Sequence, residues 1–557
     1  MPRTGADLFL DALDQYGVSK LFGNPGTTEL PVVNALPDTE IDYVLGLHED
    51  VAVGMAAGYA STRRQHADAD PDVLPLGVVN LHVAPGLAHG LGNLYGAEFA
   101  GAPLLVTAGN YSTDFQHEEP ILHGDVAEMA EPFTKWSAEV TDVEALPTML
   151  RRAVRVALTP PTGPVFLGLP ANVMRDETDD APERLGAIPD AGAGDPEQVA
   201  AAADAIVDAD EPVFVLGDAI ARSGSDAVES ATRLAEVSGA RVHGEYITSE
   251  VNMPTGHEQW VSSFPGDGDA VAELTDGADV LLLVGRSTDT TSFKYAGERL
   301  PSDATLVHVS DDAWEVGKNE PADVAVVGDP GRILGAIADD VAGRVDDAER
   351  ERRLARVREV ADSVGGSDES PPADGPATKT QLAEAIRNAT DDALVVNEAV
   401  TSGIALRREM DFEAEGYLSN KSGGLGYGLP AAVGAAMAET EAGGDRDVIG
   451  FVGDGSYLYY PQTLYSAARY DVDLTVVVAN NGNYRILKDN TLRMLGGEES
   501  DYEFTGMDFD PGVDFVANAE SHGATAHRAE SPDEIEATIR EAVDAAGPSV
   551  VDALIRD

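Results

Sequence analysis

Cysteine is absent from all 557 residues. That excludes disulfides, thiolate nucleophiles and zinc or iron–sulfur sites held by Cys. Aromatic residues are scarce at 6%, and positive charge is scarce against negative: Lys+Arg 37 to Asp+Glu 98, a formal net charge of −61. A surface of that sign repels a phosphate backbone, which disfavours nucleic-acid binding. The acid is spread along the chain rather than gathered in one tail. It reads as a solvated surface suited to high salt, where counter-ions screen the charge. A calcium-loaded or disordered acidic protein is the competing reading, and the many apolar strand-like runs speak against disorder. No apolar run reaches the roughly 18 residues of a membrane span. The opening MPRTGADLFLDALDQYG lacks the uncharged apolar stretch of a signal peptide. A cytoplasmic protein is expected.

What is present is a regular alternation. Hydrophobic residues make up 43% of the chain, and at roughly 100–200 residues per domain the length suggests three to five domains. Two stretches rich in Pro, Gly and acid, around 171–198 and 363–380, lack any periodicity. They leave blocks at 1–175, 195–345 and 375–557. In the first, strands are expected at Lys20–Phe22, Tyr43–Leu47, Leu76–Val79 and Pro103–Ala108. In the second they fall at Pro212–Leu216, Val280–Val284 and Thr305–Val309, and in the third at Ala393–Val396, Val448–Val452 and Leu474–Ala479. Continuous Val/Leu/Ile runs point to strands buried on both faces, and strand–helix–strand order points to parallel sheets. The expected fold class is α/β, with three doubly wound parallel-sheet domains.

The most informative stretch is VIGFVGDGSYLYYPQTLYSAARYDVDLTVVVANNGNY, residues 448–484. One strand runs into Gly453-Asp454-Gly455. A helical pattern with an apolar stripe at Leu464, Ala467 and Ala468 follows, and the next strand runs into Asn480-Asn481-Gly482. Both turns therefore lie at carboxyl ends of parallel strands, the edge where open α/β sheets bind ligands. Asp454 and the Asn481 side chain offer hard oxygen donors, and the backbone carbonyl of Asn483 can add another. Mg²⁺ takes about six such oxygens, often some from a phosphate. Small residues and helix starts near Gly455 suit an anion. The pattern reads as a cradle for Mg²⁺ and a diphosphate. Either turn alone is commonplace; the pair, with 24 residues (456–479) between, is far more specific.

This arrangement resembles the signature of thiamine-diphosphate-dependent enzymes. LFGNPGTTELP, LGLHEDVAVGMAAGYA, NLHVAPGLAHGLGN, PLLVTAG and KWS resemble, in order, the pyrimidine-binding domain of benzoylformate decarboxylase and its relatives. NEAVTSG and SGGLGYGLPAAVG resemble the opening of their diphosphate domain, and MPTGHEQW and LLLVGRSTD match the central domain more loosely. The resemblance implies that Glu49 binds N1′ of the cofactor's aminopyrimidine. The small residues after it, Ala52, Gly54, Ala56, Ala57 and Gly58, leave room for close packing and dry surroundings. It further implies that Leu425 bends the cofactor, that the Gly423 carbonyl accepts from its amino group, and that His82 shuttles protons beside the substrate. Thr401, Ser402, Gly455, Ser456 and Tyr484 are the expected remaining cofactor contacts, and Asp454, Asn481 and Asn483 the metal ligands.

The departures bear on the substrate. Thr27 stands where the family has an active-site serine. A second family histidine falls near Ser292, where this chain has none. His257 matches a position taken as structural, His48 before Glu49 resembles the acetolactate synthases, and His89, His117 and His123 are additional imidazoles. The implied activity is decarboxylation of a 2-oxo acid, with protonation to an aldehyde. Acetolactate-synthase-like joining of two carbonyl compounds, or a non-catalytic binding protein, are the alternatives. No flavin site is identifiable, so FAD stays open. The resemblance places Glu49 and Asp454 of one site on different subunits, which implies a dimer or a tetramer.

Overall fold

The computed structural model describes residues 3–285, 294, 297–364, 375–444 and 446–557. Position 292 lies outside them.

Three six-stranded, wholly parallel sheets carry the fold. The first contains β1 (Lys20–Gly23), β2 (Asp42–Leu45), β3 (Gly77–Leu81), β4 (Leu104–Asn110), β5 (Ser137–Glu139) and β6 (Val165–Pro170), in the order 2-1-3-4-6-5. The central sheet contains β7 (Pro212–Leu216), β8 (Arg241–Gly244), β9 (Trp260–Ser263), β10 (Val280–Val284), β11 (Thr305–Ser310) and β12 (Val324–Val327). Its order, 9-8-7-10-11-12, is that of dinucleotide-binding sheets. The third contains β13 (Ala393–Glu398), β14 (Tyr417–Ser419), β15 (Asp447–Gly453), β16 (Leu474–Asn480), β17 (Thr525–Ala529) and β18 (Pro548–Leu554), ordered 14-13-15-16-18-17. The first and third sheets therefore repeat one topology.

The strands form where the sequence supplies continuous Val and Leu. β4, β6, β10 and β13 are buried along their whole length, as parallel strands covered on both faces must be. The strand expected at Tyr43–Leu47 instead ends at Leu45: Gly46 still donates to the Gly23 carbonyl at 3.0 Å, and His48 then caps the helix Glu49–Ala69. The stretch after 171 is not all loose. Ala171–Arg175 is a short helix, and Glu177–Thr178 pairs antiparallel with Arg3–Thr4.

The first and third domains join through two equivalent helices, Glu49–Ala69 after β2 and Gly428–Ala442 after β14. Both are buried nearly all round and built from Ala and Gly. They approach so closely that a Cβ on Gly434 would lie 1.8 Å from the Met55 carbonyl oxygen, and one on Gly58 2.1 Å from that of Ala431. Only glycine allows such a backbone approach. The central domain is tied in by charge. Lys421 of the third domain donates to Asp218 at 3.0 Å and pairs with Glu245. Arg222 lies 3.8 Å from Asp218 and donates to the Phe99 carbonyl of the first domain at 2.7 Å. Burial opposes the charge on Asp218, yet Lys421 and Arg222 hold its carboxyl below the usual range. Burial pushes Glu245 up.

Gly434→Ala is expected to destabilise the protein by about 1–3 kcal/mol or more, because neither backbone can retreat. Urea unfolding of the variant beside the wild type measures it.

Candidate active site

Every residue group of interest lies where a strand of the first or third sheet hands over to a loop. In the first domain the loop after β1, residues 24–29, meets the end of β3. Glu29 is buried there and organises its surroundings. Its two oxygens accept from the backbone of Gly26 at 3.1 Å and of Gly109 at 3.0 Å, and from the Thr28 hydroxyl at 2.6 Å. It also pairs with His82 Nδ1 at 2.8 Å. A carboxylate on Nδ1 fixes the proton there and leaves Nε2 as the working nitrogen of His82. The imidazole packs so tightly on the β1 loop that a Cβ on Gly26 would lie 1.9 Å from Nδ1. Directly after it, Val83 has φ 38°, a left-handed backbone that a β-branched residue adopts only under strain. Thr27 is exposed on this loop, while its neighbour Thr28 lies 3.3 Å from His82 Nδ1.

Glu49 opens the helix after β2 and is 8% exposed. One oxygen accepts from His89 Nδ1 at 3.2 Å. The other lies 3.0 Å from where a Cβ on Gly86 would be, and no hydrogen bond to it is found among the described residues. His48 accepts the Asp50 amide on Nδ1 at 3.1 Å, and burial lowers its pKa. Its ring lies 5.3 Å from that of His89 and 5.0 Å from that of Tyr460. Asp50 points the other way. It accepts from the Asn93 amide at 2.7 Å and from the Tyr460 hydroxyl at 2.9 Å, and burial pushes it up to about 6. His117 is exposed and His123 half-buried on the segment after β4. His257 lies in the central domain, 3.5 Å from Glu236.

In the third domain Glu398, at the end of β13, plays the part that Glu29 plays in the first. It accepts the amides of Gly426, Tyr427 and Gly428 at 3.0–3.1 Å and the Asn420 side chain at 3.1 Å. Burial pushes it up to about 7, with those donors opposing the rise. This pins the loop 420–427, on which Gly423 is exposed with φ 73° and Leu425 is half-buried. Thr401 and Ser402 lie in the first turn of the helix Val400–Glu409, also after β13. Ser456 donates its hydroxyl to the Glu398 carbonyl at 2.9 Å.

Asp454 is buried beyond β15 and accepts the amides of Gly455 at 2.7 Å, Asn481 at 3.1 Å and Gly482 at 2.6 Å. Burial raises it to about 6, and these amides work against the rise. The structure thus brings Asp454, Asn481 and Asn483 into one cluster. Asn483 is buried, and its side-chain Oδ1 has no hydrogen-bond partner. Asn481 Oδ1 accepts one long hydrogen bond, from the Asn483 amide at 3.4 Å, which leaves it open to a cation. Gly455 serves the ring of Tyr484, since a Cβ there would lie 2.4 Å from it. By contrast, a Cβ on Gly453 would meet only Ser456 Oγ, at 3.9 Å. That opening suits an approaching ligand.

Three family profiles match the chain: thiamine pyrophosphate enzyme N-terminal TPP-binding domain at residues 3–131, central domain at 199–337, and C-terminal TPP-binding domain at 403–553. The chain belongs to the thiamine pyrophosphate enzymes. This thiamine-diphosphate-dependent enzyme is 31% identical over 548 residues to benzoylformate decarboxylase of Pseudomonas aeruginosa, covering 97% of each chain. It is 27% identical over 559 residues to acetolactate synthase of Bacillus subtilis, covering 98% of this chain and 92% of the other. Among solved structures it is similar to the thiamine-diphosphate-dependent 4-hydroxybenzoylformate decarboxylase of Rhodococcus jostii RHA1, with TM-score 0.86, 31% identity, and coverage of 100% of this chain and 99% of the other. It is also similar to benzoylformate decarboxylase from Polynucleobacter necessarius, with TM-score 0.88, 25% identity and the same coverage.

The thiamine-diphosphate enzyme fold places two residues at the site that sequence reasoning passed over. Glu29 lies within LFGNPGTTELP and Glu398 within NEAVTSG, but neither was singled out. The available signal was a lone acid at a strand end or among the turn residues beyond it.

Gly26→Ala drives a methyl group into the His82 ring. The expected outcome is loss of the low-field imidazole N–H resonance bonded to Glu29, with a destabilisation of about 1–3 kcal/mol. Proton NMR and thermal melts check both.

Proposed function

We propose that the protein decarboxylates a 2-oxo acid without oxidation, using thiamine diphosphate and Mg²⁺. The observation that carries this reading is the His82–Glu29 pair, a proton donor already fixed in orientation beside the strand edge. When bound, thiamine diphosphate supplies an electron sink for the carbon that loses CO₂. The residues of this chain do the rest. Asp454, Asn481 and Asn483 hold the cation, and Thr401, Ser402, Gly455, Ser456 and Tyr484 surround the diphosphate end. The Ser456 hydroxyl proton is committed to Glu398, so this residue offers its backbone amide. Leu425 and Gly423, on a loop pinned by Glu398, shape and orient the ring end. Glu49 uses its uncommitted oxygen to exchange a proton with the aminopyrimidine, and burial excludes water from that exchange. His82 delivers a proton through Nε2, with Thr27 exposed on the same loop to contact substrate. This favours release of an aldehyde.

The second reading, carboligation like that of acetolactate synthase, draws on His48 before Glu49 and on the similarity to such an enzyme. A flavin is left out of the proposal. In the central sheet the crevice beyond β7 holds Asp218, Glu245 and Lys421 in mutual contact, and two carboxylates there oppose a pyrophosphate. The surface charge is read as an adaptation to saline surroundings, so assays belong at molar salt.

Sites shared between subunits of a dimer or dimer of dimers are part of the proposal. Apolar side chains stand exposed beside both halves: Leu47 at 44% near Glu49, and Val400 at 43% and Ile404 at 46% near Thr401. Sedimentation velocity is expected to show no active monomer.

With thiamine diphosphate and Mg²⁺, the protein is expected to release CO₂ from an aryl or alkyl 2-oxo acid, and Glu49→Gln to lower that rate by about 10²–10⁴. Benzoylformate and pyruvate, with aldehyde and acetolactate measured together, separate the readings. Acetolactate as the main product overturns decarboxylation, and cofactor binding without turnover of any 2-oxo acid points to a binding protein.

A further inference from the structure

Asp557, just past β18, sits between the two asparagines of the proposed cation site. Its Oδ1 accepts Asn481 Nδ2 at 2.7 Å, and both its oxygens accept Asn483 Nδ2 at 3.2 Å. Asn483 Nδ2 also donates to the Asn481 carbonyl at 2.9 Å. A carboxylate can only accept, whereas an amide has one donating and one accepting end. Asp557 therefore decides which end of each asparagine faces it, and it takes the nitrogen of both. The oxygens are left over: Asn481 Oδ1 has only the Asn483 amide, at 3.4 Å, and Asn483 Oδ1 is buried without a partner. Asp557 is itself held. The adjacent Ile555 amide donates to the Asn480 carbonyl at 2.9 Å, and Arg485 lies 3.6 Å from Asp557 Oδ2. Arg485 is fixed in turn by Asp489 and Glu499, each at 2.6 Å.

We propose that Asp557 is a positioning residue for the divalent-cation site: by taking Asn481 Nδ2 it reserves the Asn481 amide oxygen for the ion held with Asp454, and by taking Asn483 Nδ2 it tethers the residue whose backbone carbonyl is the third ligand. The inference rests on the reading of that cluster as a cation site. Without Asp557 the Asn481 amide can rotate and present a donor to the ion, which repels it, and the turn at Asn483 loses a tether. Partners that orient ligands of a metal in this way change its affinity by about 10–100-fold.

The test uses Mn²⁺ as the probe, read by electron paramagnetic resonance on the full chain with thiamine diphosphate present. Wild type, Asp557→Ala, Asp557→Asn, Asp557→Glu and Asp454→Ala are compared, and each is melted without cofactor. The expected result is Mn²⁺ affinity weakened about 10–100-fold in Asp557→Ala and Asp557→Asn, partial rescue in Asp557→Glu, and cofactor-free melting equal to wild type for the isosteric Asp557→Asn. Wild-type affinity in both Asp557→Ala and Asp557→Asn, with binding lost in Asp454→Ala, overturns this inference alone. Wild-type protein that binds no Mn²⁺, or Asp454→Ala that binds it normally, overturns the cation-site reading and this inference with it.

Discussion

A loop that leaves the edge of a parallel sheet carries amide N–H groups with no strand to receive them. Left buried and unpaired, each would cost on the order of 1–3 kcal/mol. This molecule answers with buried carboxylates. Glu29 gathers the amides of Gly26 and Gly109, Glu398 those of Gly426, Tyr427 and Gly428, and Asp454 those of Gly455, Asn481 and Gly482. Each of these acids sits at the end of a strand or in the loop beyond it, and each fixes a loop that carries a residue of the candidate site. The proposed chemistry rests on this arrangement, since His82, Leu425 and the asparagines have defined positions only while their loops do.

The acids doing this are few among 98, and their role is opposite to that of the rest. Surface carboxylates are solvated and set net charge, solubility and response to salt. The buried ones are surrounded by donors, and burial moves Asp454 and Glu398 upward while amides hold them back. Composition alone cannot separate the two populations. Position after an apolar strand can.

Much of the architecture was legible because parallel sheets buried on both faces leave a plain trace. Val280–Val284 and Leu474–Ala479 read as strands from their side chains alone, and Glu49 and Asp454 stood out through the motifs around them. The elements that escaped did so for physical reasons. β6 is fully buried, yet PTGPVFLGLP is broken by proline and glycine and looks like a turn. β9 and β14 are short edge strands, four and three residues long, whose pairing depends on neighbours far along the chain. Glu29 and Asp557 make telling contacts far along the chain, Glu29 with His82 across 53 positions and Asp557 with Asn481 across 76. Only a turn-rich setting after a strand marks Glu29, and nothing local marks Asp557.

The glycine–alanine seam between the Glu49–Ala69 and Gly428–Ala442 helices has one more implication. Side chains that could repack are missing from it, so the surfaces behave like two fitted stones rather than two brushes. Sliding by even a fraction of a residue would bring main chain against main chain. The start of one helix carries Glu49 and the start of the other follows the loop that carries Leu425. Their spacing is therefore set by covalent dimensions, and freedom to open or close is left to elements outside that joint.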